Sequence, residues 1–168
     1  MRDRIEIIEL LSRYTRALED RDGKAIADLF APDGEFRLYS RPGAGDFTQR
    51  SAGVVGRENI RALFESGSRP RGRGFHYLTS DHIVDVDGDK AAITAQFVAV
   101  ESNAEIPSDA EWTLGSTMLR GTLALTMMGR YESNLRKIDG HWSFLIHRVK
   151  HSLTFKKGRT WLSGKWFR

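Results

Sequence analysis

Apolar positions along this chain recur with two different periods, and the change of period divides it into a helical first part and a strand-rich second part. Over residues 4–19, Ile7, Ile8, Leu10, Leu11, Tyr14, Thr15 and Leu18 fall on one side of a helical wheel. Glu6, Glu9, Arg13, Arg16 and Asp20 fall on the other. Glu19 is the exception, at the edge of the apolar stripe beside Ile8 and Thr15. Asp22 reads as the N-cap of a short second helix, Lys24 to Phe30, closed by a turn at Ala31-Pro32-Asp33-Gly34. A third helix opens at Gly56 and carries Ile60, Leu63 and Phe64 at helical spacing.

The strand signal starts weakly, with Glu35 to Tyr39, a loop over 41–50 and a short strand over Ser51 to Val55. It becomes strong from Gly74 to Glu101, where Asp87-Gly88-Asp89 separates two β-rich runs and predicts a hairpin. The second run puts Ile93, Ala95, Phe97 and Ala99 on one face and Thr94, Gln96, Val98 and Val100 on the other. Both faces are partly apolar, which predicts a strand pair covered on two sides. Met118 to Lys137 reads as a long strand bent near Gly121 or Gly129, and Asp139-Gly140 turns it into a last strand, His141 to Phe155. Helices first and antiparallel strands after predict an α+β fold, with helices on one side of a curved sheet.

Length and composition narrow this further. A chain of 168 residues makes one domain, taken as 1–155, followed by a basic tail, 156–168. Without cysteine there are no disulfides, thiolate metal sites or cysteine nucleophiles. No apolar run is long enough to span a membrane, and the N-terminus lacks an apolar signal core, so a cytoplasmic protein is expected. The net charge of +4 gathers at Arg69, Arg71, Arg73 and in the tail, without a nucleic-acid motif, and reads as solvated surface. The histidines show no HxH or HExxH spacing, so no metal site is expected. A serine-histidine-acid site lacks its GxSxG elbow.

The candidate chemistry centres on His76, an imidazole near the start of the central hairpin that can carry a proton both ways at neutral pH. The competing reading is a core histidine satisfied by a backbone group. His82, six residues on, shares its face if the strand is regular. Residues 102–116, with Pro107 and Trp112, form a long irregular stretch expected to cover a pocket mouth. Phe97 and the Met127-Met128 pair are expected to line core or pocket.

The segments IIELLSRYTRALEDRDGKAIADLFAPDGEF, VVGRENIRALF, GFHYLTSDHIVDVDGDKAAITAQFVAV and GRYESNLRKIDGHWSFLIHR resemble the SnoaL-like branch of the nuclear transport factor 2-like superfamily over roughly residues 5–151. That superfamily includes ketosteroid isomerase, scytalone dehydratase and a dehydrochlorinase, and the β subunits of aromatic-ring-hydroxylating dioxygenases share its fold. The resemblance implies a cone: a curved mixed sheet wrapped around three helices, with an apolar pocket at one end. It also implies a homodimer or homotrimer. It places the lyases' acid on Glu19 and their histidine on His76, with Tyr14 a candidate donor to substrate oxygen. A later basic residue falls on His147 or Arg148, which strand alternation puts on opposite faces. Tyr39, Phe97, Trp112 and Met127 complete the expected pocket lining. The implied activity is a cofactor-independent lyase or isomerase acting on a hydrophobic, oxygenated small molecule such as a polyketide, steroid, terpenoid or aromatic intermediate. The alternatives are a non-catalytic subunit like the dioxygenase β chains, or a small-molecule-binding protein of the same fold.

Overall fold

The computed structural model describes residues 1–41, 45–66, 73–104 and 121–154. Trp112, most of the expected mouth-covering stretch and the basic tail lie outside the described residues. Three helices, α1 (Arg2–Asp20), α2 (Gly23–Asp28) and α3 (Arg57–Glu65), pack on a seven-stranded sheet. Its strands are β1 (Phe30–Ser40), β2 (Thr48–Gln49), β3 (Val54–Val55), β4 (Arg73–Asp87), β5 (Lys90–Ala104), β6 (Gly121–Ile138) and β7 (His141–Thr154). The hydrogen-bonded order is β2-β1-β7-β6-β5-β4, with β3 beside β1. Neighbours run antiparallel except β1 and β7, which are parallel and make the sheet mixed. The result is the expected α+β cone, a curved and unclosed sheet around three helices.

Local chemistry sets most boundaries. Asp22 caps α2 by accepting the Ala25 N–H at 2.8 Å. Asp139 and Gly140 both take positive φ, 50° and 82°, the pair a tight primed turn between twisted strands requires. Gly88 does the same at 56° in the central hairpin. The bend expected in β6 falls at Gly129, where pairing with β7 slips one residue. A Cβ there would stand 2.1 Å from the Lys150 carbonyl oxygen and 2.9 Å from the Phe97 ring, so only glycine lets the strands close.

Three expectations need correction. The second helix ends at Asp28, and Phe30 opens β1 instead of closing α2. The Ala31-Pro32-Asp33-Gly34 signal does not make a free turn. Phe30 is fully buried against Phe144, and the register with β7 slips between Phe30 and Glu35, so the irregular residues are absorbed inside the strand. In β4, Asp81 takes φ 54° at a bulge between Ser80 and Ile83, so the spacing of a regular strand does not hold there. His82 bonds Thr79 Oγ1, whose partner Phe97 faces the core, whereas His76 pairs with Val100 on the opposite face.

The core lies between the helices and the inner face of the sheet. Ile7, Leu10, Leu11 and Tyr14 of α1 meet Ile93, Ala95 and Phe97 of β5 and Tyr131 and Leu135 of β6. Each such large side chain taken fully out of water stabilises by ~1.5–3 kcal/mol. Asp3 ties the start of α1 to the far hairpin, accepting from Lys137 Nζ at 2.6 Å and Trp142 Nε1 at 2.9 Å. Large apolar side chains stand exposed on the outer face, with Leu78 65 % and Leu123 74 % exposed. Among the described residues, the cover expected on both sides of the hairpin is supplied on one side.

One titratable group sits inside that core. His147 of β7 is fully buried among Tyr14, Phe30, Phe36, Tyr131 and Phe144, with ring centroids 4.4 to 6.2 Å away. Burial first, and the Arg148 charge second, push its pKa from 6.5 down to about 3. Between those two values the unfolded chain binds a proton that the folded one refuses, so stability is lost progressively as pH falls from 6.5 towards 3. One proton contributes at most about 1.4 kcal/mol per pH unit. Urea midpoints measured across that window should fall with acidification, and fall less steeply in His147→Gln. Equal slopes would contradict a neutral His147 in the core.

Candidate functional site

Two groups of polar side chains stand out, one at the sheet edge and one inside the cone. The edge group is built where the last turn of α1 meets β4, the terminal strand of the sheet order. An edge strand presents backbone N–H groups with no neighbouring strand to accept them. Glu19 meets one of these: its Oε1 accepts the Tyr77 N–H at 2.7 Å. That bond holds the carboxylate still, and Oε2 then lies 4.0 Å from Nδ1 of His76. Nε2 of the same ring lies 3.3 Å from Oγ of Ser102 on β5. Gly74 leaves the space for this contact, because a Cβ there would stand 2.6 Å from Ser102 Oγ. The His76 side chain is 56 % exposed and that of Glu19 30 % exposed. The Glu19–His76 pair is thus an approach at an open sheet edge, not one at the bottom of a closed apolar pocket.

The inner group is dry. His147 Nδ1 lies 2.7 Å from Ser133 Oγ, and its Nε2 is buried without a hydrogen-bond partner among the described residues. The Tyr14 ring packs 4.4 Å from the imidazole, and burial raises its hydroxyl pKa well above the usual tyrosine range. With His147 held neutral, one imidazole nitrogen donates and the other accepts, and the bond to Ser133 decides which role is left to Nε2. Towards the end of β5, Glu101 is buried and pairs with Arg73 Nη2 at 2.5 Å, while Arg73 Nε donates to Asn103 Oδ1 at 3.0 Å.

The other expected site residues separate by face. Strand alternation in β7 turns His147 inward and Arg148 outward, where Arg148 bonds Asn134 Oδ1 at 2.7 Å. Arg148 therefore does not face the interior. Tyr39 is also on the outer face, in register with Lys150 and hydrogen-bonded to Gln49 Oε1 at 3.1 Å. Phe97 faces inward and stacks on Tyr131 with centroids 4.5 Å apart, and Met127 packs against the same core. Sequence reasoning missed Ser102, Ser133, Glu101 and Arg73. Glu101 continues the inward alternation of Ile93 to Ala99, and that pattern could have exposed it. The two serines become visible only through cross-strand register. Among the described residues no group of three metal-ligating side chains occurs.

Comparison with known proteins places this geometry. No protein with a curated description matches the chain. Among solved structures, 379 chains match, so the architecture is widespread and by itself selects no chemistry. A candidate scytalone dehydratase from Novosphingobium aromaticivorans is 20% identical with a TM-score of 0.65, the match covering 95% of this chain and 94% of that one. ActVI-ORFA from Streptomyces coelicolor is 17% identical with a TM-score of 0.64, covering 88% and 95%. The β subunit of a candidate aromatic-ring-hydroxylating dioxygenase from N. aromaticivorans is 13% identical with a TM-score of 0.65, covering 91% of each chain. At these identities the likeness is one of fold. The model of the SnoaL-like domain matches residues 1–148, and the chain belongs to that family.

Proposed function

We propose that this protein is a cofactor-independent lyase or isomerase that moves a proton on a hydrophobic, oxygenated small molecule. The observation that carries the proposal is the fixed carboxylate: Glu19 is held on the Tyr77 N–H while its second oxygen faces His76 Nδ1. A carboxylate on that side favours the tautomer with the proton on Nδ1 and leaves Nε2 free to take one. His76 is the base and the shuttle, and Glu19 stabilises the imidazolium that forms. Elimination, with His76 removing a proton beside a leaving hydroxyl, is the first reaction to test, ahead of isomerisation and cyclisation. Tyr14, His147 and Phe97 are buried in the core, on the other face of the sheet from His76, and Met127 packs against that core, so none of the four is given a part in this step.

The outer sheet face supports a second proposal, that copies of this chain associate through β6 and β7. Leu125, Met128 and Leu153 are exposed there, beside a row containing Arg130, Glu132, Arg148 and Lys150. A face of that composition is stabilised by a second layer. The same bare face suits the alternative role of a non-catalytic β-type subunit. That role predicts a stable complex with a larger redox-active chain and no turnover by this chain alone.

Two measurements test these readings. In turnover assays on polyketide-, steroid-, terpenoid- and aromatic-type substrates, His76→Ala should lose ~10²–10⁴ in rate, the share expected of general-base catalysis. Glu19→Gln should cost less, because the amide can still hold the ring but carries no charge to stabilise the imidazolium. A Glu19→Gln loss larger than that of His76→Ala would reverse the roles of base and orienter. In sedimentation, the wild type should run as a homo-oligomer at micromolar concentration, and Met128→Asp with Leu153→Asp should run as a monomer. A monomeric wild type would contradict association through this face.

A further inference from the structure

Ser102, His76 and Glu19 lie in a row: Oγ to Nε2 at 3.3 Å, then Nδ1 to Oε2 at 4.0 Å. This is the order of nucleophile, base and orienting carboxylate, reached by strand register and not by a GxSxG elbow. Ser102 and His76 stand diagonally on the outer face of the β4–β5 hairpin, in register with Gly74 and Val100 respectively. The missing side chain at Gly74 is what admits the hydroxyl: any larger residue would fill the place of Ser102 Oγ. Beside the row runs an apolar strip formed by Val100, Val98 and Leu78, with Leu78 strongly exposed. We propose that Ser102 is a nucleophile activated by His76, and that the site takes esters with an apolar acyl chain and a good leaving group, the chain lying along that strip.

The step balances without a co-reactant other than water. Ser102 Oγ bonds to the acyl carbon as its proton passes to His76 Nε2, and Glu19 faces the imidazolium at Nδ1. The carbon–oxygen bond to the leaving group breaks, and the departing oxygen takes the proton from Nε2. Water then attacks the acyl-serine, giving a proton to Nε2, and the bond to Oγ breaks as Oγ recovers that proton. The half-exposed setting of the row leaves it open to both ester and water. Aryl esters suit it because a phenol oxygen is a weakly basic leaving group that departs readily, a p-nitrophenol then ionising in solution.

The proposal rests on the His76–Glu19 pair of the lyase reading, but its test needs no lyase substrate, so the two fail separately. Full-length protein is mixed with p-nitrophenyl acetate and p-nitrophenyl hexanoate, p-nitrophenolate release is followed, and the acylated residue is located by peptide mass spectrometry. The expected result is an initial burst of about one equivalent, an acyl group on Ser102, and faster acylation by the hexanoate. Ser102→Ala and His76→Gln should each lose the burst and the label while keeping the wild-type circular dichroism spectrum. Acyl groups found only on lysines or on His76, or a burst that survives in Ser102→Ala, would overturn the assignment. A wild type with no burst and no label on Ser102 would overturn this assignment and leave the lyase reading untouched, whereas a Ser102 label without any lyase turnover would leave this assignment standing alone.

Discussion

The bond from the Tyr77 N–H to Glu19 joins the structural problem of this fold to its chemistry. A sheet that does not close into a barrel must end in a strand whose outward backbone groups lack a strand partner. Here one such group is met by a carboxylate from the end of α1, which fixes helix and strand to each other. A charge-assisted bond of this kind is stronger than a neutral one, which offsets the rotamer entropy lost in ordering the Glu19 side chain. Once Oε1 is committed, the position of Oε2 follows, and with it the charge beside His76. The proton transfer we propose at the edge would thus be a by-product of how the edge is finished.

Inside the cone the constraint is the opposite one. His147 is buried among five aromatic rings, with the Ser133 hydroxyl its one hydrogen-bond partner among the described residues. A neutral imidazole in such a place keeps one polar atom unmet, at a cost of ~1–3 kcal/mol. Packing against Tyr14 and Phe144 offsets that cost. The two polar groups thus differ in kind: one is open and orders a charge, the other is dry and withholds a bond.

The architecture was readable because its signals are local and repeat. The α1 stripe, the Asp22 cap, the Asp-Gly turns and the β5 alternation each depend on residues close in sequence. Alternation also stated that His147 and Arg148 face opposite ways, and only the tertiary structure says that His147 is the inner one. What could not be read was set by register over long separations. The insertion absorbed by β1 depends on β7, more than a hundred residues on, and it overrode the turn signal of Pro32-Asp33-Gly34. The bulge at Asp81 broke the spacing that would have aligned His76 and His82. Ser102 meets His76 only because β4 and β5 pair as they do, and Ser133 meets His147 only through β6 and β7.

The coupling of Glu19 to His76 can be measured without any substrate, by long-range nitrogen–proton NMR correlation of the His76 ring at mildly alkaline pH. If Glu19 orders the imidazole, the neutral ring carries its proton on Nδ1 in the wild type. In Glu19→Ala it should revert towards the Nε2-protonated tautomer that exposed histidines prefer. An Nε2-protonated ring in the wild type, unchanged by Glu19→Ala, would contradict the account.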